Sequence, residues 1–225
     1  PEGTVPSPVT LRAVWVADPG TSEAFIVGHG GTVVHRVSNG AWMAEPTGVS
    51  TNLYAIAARG ASEVFAVGEA GTILRRSGGT WKQEGMELHL TSSLFSVTAL
   101  ANGEVVAVGD LGVVARRQMA GVWTLESTSA LAGASLRGVF GSQLEGLYAV
   151  GLGSTIARRV GGFWQRDSLP IEPQVDAVAF STCLDTLDFD DYAGDTVLLD
   201  QFWQTFRGLY LSLKHRHQST KCDCG

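Results

Sequence analysis

Apolar and polar positions along the chain recur with a period of about 41 residues. Each copy opens on an L-x-x-V/I run, at Leu11 to Val14, Leu53 to Ile56, Leu94 to Val97 and Leu136 to Val139. A glutamate then precedes a second apolar run, at Glu23, Glu63, Glu104 and Glu145, spaced 40, 41 and 41 apart. That run closes on glycine, at Gly28, Gly68, Gly109 and Gly151. A tryptophan completes the set, at Trp42, Trp81, Trp123 and Trp164, spaced 39, 42 and 41 apart. Four anchors that hold register through four copies define a repeat architecture.

Each copy predicts four short strands. In the second copy, Leu53 to Ala57 predicts an alternating strand with one face buried. Val64-Phe65-Ala66-Val67 is apolar without alternation and predicts a strand covered on both faces. Thr72 through Arg76 forms a third strand, and Thr80-Trp81-Lys82 opens a fourth. Gly68-Glu69-Ala70-Gly71 between the second and third strands predicts a hairpin with a bulge, its last residue at positive φ, where glycine costs little. The fourth copy has Ser154 at that place, which predicts local strain.

Four strands per repeat of this length is the size of a β-propeller blade, and blades must stack to bury both faces. The predicted fold is therefore all-β, a β-propeller or part of one. Its blades run over 11–52, 53–93, 94–135 and 136–174, with 1–10 as the outer strand of a preceding blade. Residues 175–225 depart from the pattern. Of 28 glycines, 25 lie at or before position 174, and the last segment carries 8 acids against 4 bases. Val175-Asp176-Ala177-Val178 restarts the opening anchor, which suits a degenerate fifth blade. Yet Leu198, Leu199, Phe202, Phe206, Leu209, Tyr210 and Leu213 share one helical face behind Asp195 as N-cap, which suits a C-terminal amphipathic helix. Both readings, and that of a tail foreign to the fold, stand at this point.

Composition narrows the function. The chain has 225 residues, 44% hydrophobic and 17% charged, a globular balance. No apolar run reaches the roughly 18 residues of a membrane helix. A net charge of −6 argues against a nucleic-acid partner held by bulk charge. The three cysteines all follow residue 182, so no disulfide framework spans the repeats.

Candidate chemistry is sparse. His35-Arg36, Arg75-Arg76, Arg116-Arg117 and Arg158-Arg159 recur at the end of the third strand. Arg75, Arg76, Arg116, Arg117, Arg158 and Arg159 form the candidate partner-binding set, an arc of cations for an acidic partner. The competing reading is that these charges only pair with repeated glutamates. The repeat tryptophans suit packing between blades, with sugar stacking as the alternative. Glu23, Glu63, Glu104 and Glu145 read as turn residues, because glycoside hydrolysis needs two carboxylates facing each other. His215, His217, Cys222 and Cys224 are off the usual zinc spacing. Asp188, Asp190 and Asp191 begin a calcium-like loop but lack its glycine and its closing glutamate. Neither a metal nor a cofactor is therefore expected, and no catalytic motif appears.

The residues of 53–81, with E-V-F-A-V-G-x-x-G-T-I-L-R-R followed by S-G-G-T-W, resemble bacterial repeats related to the photosystem II stability and assembly factor. These are a branch of the Asp-box (BNR-like) propellers. Ser77-Gly78-Gly79-Thr80-Trp81 departs from the Asp-box by lacking its aspartate. The resemblance covers roughly residues 1–180. It implies a non-catalytic, commonly extracytoplasmic propeller that binds a protein partner as an assembly platform. A carbohydrate-binding or sialidase-like propeller, and a structural module of a larger surface protein, are the alternatives.

Overall fold

The computed structural model describes residues 8–17, 23–37, 40–142 and 146–167. Within them, sixteen strands form four antiparallel four-stranded sheets. The first holds β1 (Leu11–Val16), β2 (Ala24–Gly28), β3 (Val33–Arg36) and β4 (Trp42–Glu45). The second holds β5 (Leu53–Ala58), β6 (Glu63–Gly68), β7 (Ile73–Ser77) and β8 (Thr80–Glu84). The third holds β9 (Leu94–Ala99), β10 (Val105–Gly109), β11 (Val114–Arg117) and β12 (Trp123–Leu125). The fourth holds β13 (Leu136–Ser142), β14 (Gly146–Gly151), β15 (Thr155–Val160) and β16 (Phe163–Asp167). Strands follow chain order within each sheet, as in the blades of a β-propeller. The two readings of the C-terminal segment fall on residues 175–225, outside the described residues.

The opening strands β1, β5, β9 and β13 pack side by side from sheet to sheet and form the inner edge of the stack. The second strands are covered on both faces as expected. Every residue of β10 is buried, and all of β6 except Glu63.

The inner strands depart from the expected alternation. In β5, Leu53 and Ile56 are buried although they lie three apart, and the residues between are half-buried. Register supplies the reason. Leu53 pairs with Gly68 and Ala55 with Val67, so Tyr54 is an extra residue in the strand, a β-bulge. The same shift isolates Arg12 in β1, Phe95 in β9 and Arg137 in β13. One extra residue turns a spacing of two into a spacing of three, so L-x-x-V marks a bulged strand. The bulge thus lies in the inner strand, and not in the hairpin where the sequence suggested it.

The glycine that closes each second strand belongs to the same device. A Cβ on Gly68 would stand 2.0 Å from the Asn52 carbonyl oxygen, and one on Gly109 would stand 2.0 Å from that of Ser93. Only glycine lets the backbone come this close. The next N–H uses the approach: Glu69 donates to the Asn52 carbonyl at 2.9 Å, and Asp110 to the Ser93 carbonyl at 3.0 Å. In the turn that follows, Gly31, Gly71 and Gly112 sit at φ +71°, +69° and +73°. Ser154 takes the same left-handed conformation at φ +56°, so the expected strain is present in the fourth blade.

Three apolar clusters fill the joints between successive sheets. Phe25, Val27, Leu53, Val64, Leu74 and Trp81 join the first to the second. Phe65, Val67, Leu94, Val105 and Trp123 join the second to the third. Val106, Val108, Leu136, Leu147 and Trp164 join the third to the fourth. Side chains of β2, β6 and β10 thus reach forward into the following blade, which is why these strands carry no polar face.

Candidate functional site

The candidate arginines converge on the joints. Arg76 of the second blade forks onto Glu45 of the first, with Nε 2.8 Å from Oε2 and Nη2 2.8 Å from Oε1. Trp81 Nε1 donates to the same Oε2 at 2.7 Å. One joint further, Arg117 Nε and Trp123 Nε1 each donate to Glu84 Oε2 at 2.9 Å. In the third joint, Arg159 Nε reaches Glu126 Oε2 at 3.0 Å and Trp164 Nε1 reaches it at 2.6 Å. Each joint is therefore clamped by one carboxylate that accepts from a guanidinium and an indole of the next blade. Charge-assisted bonds of this kind are roughly twice as strong as neutral ones.

Aromatic rings back two of the clamps. Phe25 meets Trp81 edge-on at 6.5 Å and 78°, with the Arg76 guanidinium 5.0 Å from its ring centre. Phe65 meets Trp123 at 6.5 Å and 74°, with Arg117 at 5.5 Å. Val106 stands at this place in the third joint. Packing is thus the role of Trp81, Trp123 and Trp164, whereas Trp42 is 41% exposed.

The first residue of each basic pair serves its own blade. Arg75 binds Glu63 and lies 3.4 Å from Glu84, while Arg116 binds Glu104 and lies 3.0 Å from Glu126. Arg158 Nε lies 3.2 Å from Asp167 Oδ1. His35 fills this place in the first blade, with Nδ1 2.9 Å from Glu45 Oε1 and its ring stacked on Phe25 at 4.0 Å. All six candidate arginines are therefore ion-paired within the chain.

These contacts shift the carboxylates. Burial pushes Glu45 up, but hydrogen bonds from Arg76 and Trp81 and the charges of Arg76 and His35 outweigh it and hold the group below its usual range. Burial likewise opposes, and Arg59 and Arg75 overcome, in lowering Glu63. Glu104 is lowered against burial by Arg116 and Asn102. The hydrogen bond to Glu104 raises Arg116 above its ordinary value, against the pull of burial.

Glu63 and Glu104 sit where β5–β6 and β9–β10 turn back, as turn residues should; Glu145 lies outside the described residues. The residues that sequence reading missed are Glu45, Glu84, Glu126 and Asp167. Their signal was present, because each follows its repeat tryptophan by three positions. The histidine, cysteine and aspartate sets near the C-terminus lie outside the described residues.

The inner edge carries a second constellation. The bulge residues Tyr54 and Phe95 stack at 5.4 Å and 22°. Arg137, the bulge residue of the next blade, lies over Phe95 with its guanidinium carbon 3.8 Å from the ring centre. Arg12 in the same position of the first blade donates from Nε to His29 Nε2 at 2.8 Å.

No family model and no curated protein sequence matches this chain. Solved structures match it in fold. YCF48 from Cyanidioschyzon merolae superposes with a TM-score of 0.61 at 18% identity, over 80% of this chain and 63% of that one. YCF48 bound to a D1 peptide gives 0.59 at 19% identity, over 77% and 58%. A catalytically inactive virginiamycin B lyase from Staphylococcus aureus with quinupristin gives 0.56 at 12%, over 78% and 75%. The fold is a β-propeller fold. YCF48 is a photosystem II assembly factor, and at this identity the likeness to it is one of fold. The chain spans about three fifths of the length of the two YCF48 structures.

Proposed function

We propose that this chain is a non-catalytic β-propeller that serves as a protein-interaction or assembly platform. The observation that carries the reading is the use made of the repeated charges. Glu45, Glu84 and Glu126 and their arginines and tryptophans brace blade against blade, which produces a rigid frame. A rigid frame with variable residues at its edges is the usual setting for recognition. The D1 peptide held by one YCF48 structure supports the same reading for a fold of this kind.

Of the candidate contacts, Arg76, Arg117 and Arg159 are committed to the joints. Arg75 and Arg116 each bridge two carboxylates of their own blade. Arg158 is the most open of the six, with 44% of its side chain exposed, and is the best placed to meet an acidic partner. An extracytoplasmic location belongs to the same proposal and rests on the family resemblance alone.

Selection of randomised displayed peptides on the immobilised protein, run beside a glycan array, tests the platform. Enriched peptides that bind in solution while the glycans stay silent are the expected outcome. Glycan binding without peptide enrichment would overturn it in favour of a carbohydrate-binding propeller.

A further inference from the structure

The four bulge positions change residue from blade to blade while their geometry stays the same. Arg12, Tyr54, Phe95 and Arg137 occupy one register position, each left out of the pairing with the second strand. The residues on either side are repeated and buried in the second to fourth blades: Leu53 and Ile56, Leu94 and Val97, Leu136 and Val139. A bulge conserves the backbone and re-aims one side chain, a device common beside binding and catalytic sites. Repetition of the bulge in every blade lines up these side chains at the starting end of the inner strands.

The resulting surface has a definite chemistry. Tyr54 and Phe95 form a two-ring platform, half-buried and continued by the Arg137 guanidinium over Phe95. Among the described residues, Arg137 has no ion pair and no hydrogen bond, whereas the candidate arginines of the outer strands are all ion-paired. A guanidinium stacked on a ring keeps its N–H edges free and oriented in the ring plane, ready for a two-point bond to a carboxylate. Asp110, whose turn packs against β13, accepts from the Ser135 hydroxyl and forms no ion pair with Arg137.

We infer that the bulge row Tyr54–Phe95–Arg137 is a peptide-binding site for an acidic segment, taking a carboxylate on Arg137 and an apolar side chain on the two rings. The inference rests on the platform reading and names the chemistry of its partner. It is a different surface from the outer-strand arginines.

Fluorescence anisotropy with a short labelled peptide of alternating leucine and aspartate provides the test, with a leucine–lysine peptide as control. The acidic probe should bind and the basic one should not. Arg137→Gln should weaken binding by about tenfold or more, the loss expected for one charge-assisted contact. Arg137→Lys should recover only part of it, because the ammonium lacks the planar fork. Phe95→Leu should also weaken the probe, and Lys82→Gln, which removes a cation from the exposed face of β8, should not. A cooperative thermal transition in Arg137→Gln, close to that of the natural protein, excludes misfolding as the cause. No binding of the acidic probe by the natural protein, or equal binding by Arg137→Gln, would overturn the site. Peptides selected by display that still bind Arg137→Gln would sink this site and leave the platform standing.

Discussion

The outer and inner strands of these blades solve different problems, and their residues differ accordingly. Along the outer strands three successive joints use the same three side chains: Glu45, Glu84 and Glu126 accept from Arg76, Arg117 and Arg159 and from Trp81, Trp123 and Trp164. Along the inner strands one backbone feature is kept, and the side chain it presents changes from Arg12 to Tyr54 to Phe95 to Arg137. Identity is retained where neighbouring blades must fit each other. Geometry alone is retained at the bulges, whose side chains meet one another or a turn along the inner edge.

The largest effect expected from breaking this contrast is in the clamps. Glu126 accepts from Arg116, Arg159 and Trp164, and only 9% of its side chain is exposed. Glu126→Gln keeps the shape and removes the charge, so Arg159 loses its counter-ion within the joint. The cost should be about 2–3 kcal/mol, below that of a fully buried pair because Arg159 is partly open. Chemical denaturation reads it directly. A change within about 0.5 kcal/mol, as at an ordinary surface site, would show that the clamps are decoration.

Acid should loosen the same contacts. Glu45, Glu63 and Glu104 all lie below the ordinary value of 4.5 in the folded protein. The unfolded chain then binds more protons in the window beneath that value, so stability rises with pH across it. The contribution is complete above about pH 4.5 and is lost as the pH falls through the lowered folded values. Melting temperatures across this range should fall steadily on the acid side, and less steeply in Glu45→Gln. A flat profile would contradict the assigned pairing.

A smaller effect sharpens the comparison between blades. Ser154 holds the left-handed position that glycine holds at Gly31, Gly71 and Gly112. Ser154→Gly should stabilise the protein by about 1 kcal/mol, since the left-handed conformation costs a residue with a Cβ roughly that much. The equivalent reverse change, Gly71→Ser, should destabilise by more, because a Cβ there would stand 2.3 Å from Leu90 Cβ. The smallest stability effect belongs to the inner row, where Arg137→Gln removes one cation–π contact and no side-chain hydrogen bond or ion pair, and should cost about 0.5–1 kcal/mol.

Much of the fold was legible in the spacing of Leu53, Glu63, Gly68 and Trp81 and their counterparts. Runs such as Val64 to Val67 announced strands covered on both sides, and β6 and β10 are. The clamps were half-legible. The basic pairs stand out, but the sequence holds two acidic rows, and the row of Glu63 and Glu104 is the conspicuous one because it opens an apolar run. Glu63 and Glu104 do bind Arg75 and Arg116, each within its own blade. The acceptors across the joints follow the tryptophans. They are 31 to 33 residues away from their arginines, a distance at which no local pattern shows a pairing. The inner row was not legible at all. In the sequence Tyr54 is an arbitrary residue between two anchors, and only its absence from the pairing of Leu53 with Gly68 and Ala55 with Val67 reveals it.

By itself, the sequence determined the repeat, its strands and the glycines that permit its close approaches, because period, propensity and φ are local properties. Tertiary structure decided which of the two arginines in each pair crosses to the preceding blade, and which bulge residues become neighbours. Tyr54 and Phe95 lie 41 positions apart and touch only because two inner strands are packed side by side. That contact depends on the stacking of blades, in which each blade supplies the missing wall of the one before.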